Sequence, residues 1–328
     1  MSYRMAAVAG ALLAYAACKT GFIGEPAAQD YPSKPIRFVV PFAPGGGTDV
    51  LARIVAPRMS ESLGKQVIVE NRTGAGGNLA TEQVAKAPSD GYTILLAYIG
   101  PIAVSPSLYA KLGFDPVKDF SAVSLMATIP LVLVVHPSLP AKSVSELIAL
   151  ARSRPDQITY GSAGSGTAQQ LAGELFKLLT GTKILGVPYR GGAPAAVAVI
   201  TGEVDVLFTG ALGVFPHVHS GRLRALAVTT SRRLASVPDL PTVAEAGVKG
   251  FEVVSWNGVV VPAGTPAAIV QRLNSSINDA LRTPEVRQRL SSEGLQIVAS
   301  TPQEFEQFIK SEIAKWAKVV RAAGIKAE

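Results

Sequence analysis

Two short stretches of this sequence combine residue types and spacing that suit chemistry on a small anion. They are Phe42-Ala43-Pro44-Gly45-Gly46-Gly47-Thr48-Asp49 and Ser162-Ala163-Gly164-Ser165-Gly166-Thr167, about 120 residues apart. Glycine lets the chain turn tightly, and Thr48 and Thr167 each stand where a hydroxyl can cap the next helix. A strand, a glycine turn and a helix start gather uncovered N–H groups and the positive helix end at one spot. The matching chemistry is recognition of a carboxylate by backbone N–H groups and hydroxyls rather than by an arginine fork. Such charge-assisted bonds contribute roughly 1.5–3 kcal/mol each. One such turn alone is better explained by the need for positive φ at a tight connection. Two of the same architecture point to a ligand clasped between two lobes.

Bond-breaking chemistry has little to stand on. The three histidines are His136, His217 and His219, with no cysteine or carboxylate cluster nearby to complete a zinc site. Neither Ser162 nor Ser165 has glycines at both minus two and plus two, as a nucleophile elbow requires. No lysine followed by serine or threonine has the preceding glycines of a P-loop, and the first turn lacks the third glycine of a dinucleotide fingerprint. The sequence therefore calls for no catalytic residue, metal or cofactor.

The elements that must position the turns are legible as alternating strand and helix patterns. Ile36 to Val40 reads as a strand before the first turn, and Ile158 to Tyr160 before the second. After each turn comes a helical pattern, from Thr48 to a stop at Gly64 and from Thr167 to a stop at Gly181. Further strands are expected at Gln66–Glu70, Tyr92–Leu96, Leu131–Val135, Lys183–Val187, Val204–Phe208, Leu223–Val228 and Trp256–Val261. Helices are expected at Val144–Ser153, Ala193–Thr201, Ala267–Leu281 and Pro302–Ala323. Alternation of this kind builds parallel sheets through right-handed crossovers, an α/β fold with at least two sheets. In the last helix Phe305, Phe308, Ile309, Ile313, Trp316 and Val320 form one stripe, read as packing over a sheet.

Bulk properties agree. The 328 residues suffice for two cores, and 48% apolar with 17% charged residues describes a packed globular protein. The net charge is +7, but the basic residues are dispersed, which argues against a nucleic-acid groove. Arg4 precedes an apolar run from Met5 to Ala17, too short to span a bilayer and matching a signal-peptide core. Cleavage is expected near Pro26-Ala27-Ala28. Ala16-Ala17-Cys18 also resembles the end of a lipoprotein box, with Tyr15 where an aliphatic residue would stand. Cys18 is the single cysteine, so the mature chain would hold no disulfide.

At these turns the chain resembles the extracytoplasmic substrate-binding receptors of tripartite tricarboxylate transporters, the Bug-type family. The likeness runs through Tyr31-Pro32-Ser33-Lys34-Pro35-Ile36, Val40-Pro41-Phe42 and Val69-Glu70-Asn71-Arg72 with Gly74-Ala75-Gly76-Gly77. It continues through Ser89-Asp90-Gly91-Tyr92-Thr93, Tyr160-Gly161-Ser162, Val187-Pro188-Tyr189-Arg190-Gly191, Gly202-Glu203-Val204-Asp205 and Pro262-Ala263-Gly264-Thr265-Pro266. It implies a type II periplasmic-binding-protein-like α/β fold with two Rossmann-like lobes and a hinge. Residues 29–124 with 255–328 would form one lobe and 125–254 the other, crossing near Ala122–Ala127 and Val253–Trp256. It also implies a monomeric periplasmic receptor that closes on an organic carboxylate and delivers it to membrane permease subunits. The carboxylate would be gripped by Phe42, Ala43, Pro44, Gly46, Gly47, Thr48 and Asp49 from one side. Ser162, Ala163, Ser165, Gly166 and Thr167 would grip it from the other. Asp205 would line the cleft or make a bond within its lobe, and Arg190 would balance ligand charge or lie on the surface. Tyr98-Ile99-Gly100-Pro101-Ile102-Ala103 and Gly210-Ala211-Leu212-Gly213 are apolar where relatives often carry small polar residues. That departure predicts an aromatic or longer-chain carboxylate over a short polar diacid. A sensor subunit for a membrane kinase, or an enzyme using the same cleft, would share this fold.

Overall fold

Runs of β-branched and aromatic residues set the strands of the first half, and a glycine ends its first helix. The computed structural model describes residues 31–45, 47–189, 191–292 and 294–325, so the expected signal segment, Gly46 and Arg190 lie outside the described residues. Strand β1 (Ile36–Val40) feeds α1 (Gly47–Leu63), which stops at Gly64, where φ is 68°. β2 (Val67–Asn71), a 3-10 turn (Ala75–Gly77), α2 (Asn78–Ala85) and β3 (Thr93–Tyr98) follow. A π-helical turn (Gly100–Val104) and α3 (Ser105–Leu108) lead to the long β4 (Phe120–Val135).

The second half repeats the plan. After α4 (Val144–Ser153) come β5 (Thr159–Ser162), α5 (Ala168–Thr180), β6 (Leu185–Pro188), α6 (Gly192–Thr201) and β7 (Val206–Gly210). Then α7 (Ala211–His219) and β8 (Arg224–Val228) precede β9 (Val254–Pro262), α8 (Ala267–Arg282), α9 (Pro284–Ser292), β10 (Gln296–Ile297) and α10 (Pro302–Ala323). β1 lies parallel between β2 and β3, and β5 lies parallel between β6 and β7. Each trio is flanked by an antiparallel strand, β9 beside β3 and β4 beside β7. The two halves thus share a strand order.

β4 joins the two. Its residues Phe120 to Pro130 pair with β9, and from Leu131 to Val135 it pairs with β7 and β8. The change of partner falls at Pro130/Leu131, a few residues beyond the expected Ala122–Ala127 crossing. That earlier stretch carries two register shifts against β9, after Ala122 and after Leu125. The return crossing is tied by Thr229, whose N–H donates to the Leu131 carbonyl at 2.9 Å and whose hydroxyl donates to the Val253 carbonyl at 2.6 Å.

The stripe expected on α10 is its buried face. Phe305, Ile309, Trp316 and Val320 are buried in a core that also holds Leu95 of β3 and Phe176 of α5. Each fully buried apolar side chain of this size contributes about 1.5–3 kcal/mol. Glu312 sits within that face because both indoles need an acceptor. Its Oε2 receives the Trp256 N–H at 3.0 Å and the Trp316 N–H at 2.9 Å.

Candidate ligand cleft

The C-terminal ends of β1, β2 and β3 share one edge, and in open α/β sheets that edge is where ligands bind. The first turn leaves β1 there. Its conformation is set by Asp49, which is buried and accepts the Gly45 N–H at 2.9 Å. The same carboxylate receives Arg53 Nε at 2.9 Å and Asn71 Nδ2 at 2.9 Å, and Asn71 also donates to the Phe42 carbonyl. Burial pushes the Asp49 carboxyl up, but Arg53, the Gly45 N–H and Asn71 outweigh it and hold it below its ordinary range. Asp49 was expected to touch the ligand, and its oxygens are instead taken up inside the turn. Thr48 was expected to cap and lies within the helix, because α1 begins at Gly47.

The second turn keeps its expected cap. Thr167 stands at the N-cap of α5, its hydroxyl accepting the Gln170 N–H and donating to the Gly164 carbonyl at 2.7 Å. Gln170 Oε1 accepts the Gly166 N–H at 2.7 Å. Ser165 Oγ is buried without a partner, and the N–H groups of Gly164 and Ser165 make no bond among the described residues. Ser162 and Ala163 enter this turn from β5.

A third turn, Gly74 to Gly77, completes the edge. Four successive positive φ values, 140°, 46°, 64° and 98°, carry the chain from β2 into α2. At Gly77 a side chain is excluded, since a β-carbon would lie 2.9 Å from Pro101 and 3.1 Å from Pro41. The motif was visible in the sequence, and its place beside the other two turns follows only from the β2–β1 pairing. Asn78, the first residue of α2, has its Oδ1 buried and without a partner among the described residues.

These pieces meet. A β-carbon at Gly100 would lie 3.2 Å from the Gly166 carbonyl, and one at Gly76 would lie 3.9 Å from that of Ser165. The Tyr98 ring meets Phe42 edge-to-face at 5.0 Å. Burial pushes the Tyr98 phenol up, while Ser255 and the Ala168 N–H at the start of α5 act on its oxygen in the opposite sense. Tyr98 of the first half therefore reaches the helix that the second turn opens.

Other expected site residues are elsewhere. Asp205 precedes β7 and accepts the Thr159 N–H at 2.8 Å and its hydroxyl at 3.0 Å. Thr159 begins β5 and Ser162 ends it, so Asp205 lies at the far end of the strands from the turn. Its role is a bond within its own half. Ile99 and Ile102 are fully buried in the core, so this stretch presents Tyr98 and Gly100, not an apolar rim. Gly210 ends β7 directly before α7, leaving no loop there. Ala43, Pro44 and Gly47 are exposed on the first turn. Sequence reasoning passed over Ser255 and Asn257, which only strand pairing brings beside Tyr98. Among the described residues no three histidine, aspartate or glutamate side chains gather as a metal site needs.

The profile of the tripartite tricarboxylate transporter family receptors (TctC) matches residues 51–325. The chain belongs to that family. The receptor is 40% identical over 324 residues to Protein BugT of Bordetella pertussis, covering 98% of each chain. It is also 40% identical over 291 residues to a protein in the tcbD-tcbE intergenic region of Pseudomonas sp. strain P51, covering 88% of this chain and 86% of that one. Among solved structures, R. palustris Rpa4515 with adipate superposes with a TM-score of 0.83 at 40% identity, over 91% of this receptor and all (100%) of that chain. MatC (Rpa3494) from Rhodopseudomonas palustris, with bound malate, gives 0.80 at 35% identity over 88% and 100%. The receptor has the expected bilobed periplasmic-binding-protein fold. Among the described residues no helix is long and apolar enough to cross a membrane.

Proposed function

We propose that this receptor binds an organic carboxylate between its two halves and delivers it to the permease of a tripartite transporter. The observation that carries the reading is the second turn. There the Gly164 and Ser165 N–H groups and the buried Ser165 hydroxyl have no partner among the described residues, and the turn faces Gly76 and Gly100 of the first half. Such an array satisfies a carboxylate without a guanidinium, and Arg53 is already engaged by Asp49 and Asn71. Relatives that hold adipate and malate support the class.

The ligand body would lie along Phe42 and Tyr98, so the acid is aromatic or longer-chained rather than short and polar. We place the hinge at Pro130/Leu131 and at Val253, so that the expected lobe boundaries at 124/125 and 254/255 move to 130/131 and 253/254. Residues 1–28 would direct export, with lipid attachment at Cys18 as the competing outcome. Mass spectrometry of ligand released from the denatured receptor, followed by calorimetric titration, tests the reading. Binding of adipate or benzoate is expected. A response to malate or succinate alone would contradict the apolar preference, and no response to any carboxylate would overturn the function.

A further inference from the structure

Asn257 on β9 is fully buried, and neither its Oδ1 nor its Nδ2 has a partner among the described residues. The receptor satisfies buried amides elsewhere. Asn278 accepts the Ser124 hydroxyl at 2.8 Å, and Asn274 Nδ2 donates to the Val123 carbonyl at 2.7 Å and to that of Ser300 at 2.9 Å. An amide left without any bond destabilises the fold unless something else meets it. Both polar atoms of Asn257 are thus open to a contact outside the fold's own hydrogen bonds.

Its place says where. Asn257 pairs directly with Tyr98 across the β3–β9 ladder, and opposed residues of an antiparallel pair project to one face. Ser255, two residues earlier, shares that face and interacts with the Tyr98 oxygen, as does the Ala168 N–H. The face carrying Asn257 and Ser255 thus reaches, through the Tyr98 oxygen, the start of the helix that the second turn opens.

We propose that Asn257 is a specificity-determining residue, and that the carboxylate ligand also carries a hydrogen-bond donor, a hydroxyl or an N–H. The proposal rests on the carboxylate-receptor reading above. A plain carboxylate offers acceptors only, so it satisfies Nδ2 and leaves Oδ1 orphaned. A hydroxylated or N–H-bearing acid satisfies both atoms. Sites built to bond a substrate hydroxyl discriminate strongly against analogues that lack it, because the protein group is then stranded.

The test is calorimetric titration of the whole receptor and of Asn257→Leu with matched acids. The pairs are benzoate against its 3- and 4-hydroxy forms, adipate against 2-hydroxyadipate, and succinate against malate. In the wild type at least one hydroxylated member should bind tenfold or more tighter than its parent. Asn257→Leu should narrow that gap to within about threefold while its ligand-free Tm holds or rises, since an orphaned amide has been replaced by an apolar group of similar size. Equal binding within every wild-type pair overturns the proposal, whether or not the variant folds. So does a preference that survives in Asn257→Leu. A lower ligand-free Tm also overturns it, because it assigns the amide a structural bond. If no acid in the panel binds, the carboxylate reading itself falls.

Discussion

At Gly45 and at Gly166 a side chain one turn into the next helix takes the glycine N–H four residues back. Asp49 does this in the first half at 2.9 Å and Gln170 in the second at 2.7 Å. The brace has the same geometry and a different charge. Asp49 brings a buried anion, and it draws Arg53 and Asn71 around it. Gln170 brings no charge, and the turn it holds keeps Ser165 Oγ unpartnered. The Asp49 charge is balanced by Arg53 within the first turn, and its oxygens are taken up by Gly45, Arg53 and Asn71, whereas the neutral Gln170 takes up only the Gly166 N–H. On the proposed reading the second turn holds the ligand's charge, and the first turn is braced from within by Asp49.

The largest stability effect should come from Asp49→Ala, which strands the Gly45 N–H, Asn71 Nδ2 and half-exposed Arg53 at once. A loss of about 2 kcal/mol is expected by urea unfolding, below the value for a fully buried pair because Arg53 meets solvent. Gln170→Ala strands only the Gly166 N–H and should cost about 1 kcal/mol in the same measurement. Equal losses would mean that the two braces do not differ in kind. The smallest effect concerns pH. Asp49 is held below its ordinary value, so its contribution is fully present above the unfolded carboxyl pKa of about 3.9 and is lost as pH falls through the lower folded value. Acid unfolding of the wild type should accordingly fall more steeply below about pH 4 than that of Asp49→Asn. The Gln170→Ala variant should keep the wild-type slope.

Much of this was readable in the sequence where a local signal decides the structure. The stripe on α10, the stop at Gly181 with φ of 64° and the cap at Thr167 each depend on residues within a few positions. The first half of β4 went unread because its register shifts after Ala122 and Leu125 break the two-residue alternation that marks a strand. For Asp205 a cleft role and a bond within its lobe were both open, and a strand boundary decides for the second. A strand expected to start at Val204 starts at Val206, which moves the carboxylate from the interior of the strand to its far end. The glycine N–H groups looked free in sequence, and at Gly45 and Gly166 they are not, since the side chains that claim them arrive only once the helix forms. Asn257 gave no signal at all. Its meaning depends on Tyr98, brought opposite by a pairing between residues far apart in the chain.

If the second turn holds the ligand's charge, calorimetric titration of Gln170→Glu with a carboxylate the wild type binds should show it. The substitution keeps size and places an anion beside the turn. At a separation of about 6 Å and an effective dielectric near 20, repulsion comes to about 2–3 kcal/mol. A loss of affinity of thirtyfold or more in a variant that still folds is predicted. Unchanged or tighter binding by Gln170→Glu would contradict the account and move the ligand's charge away from this turn.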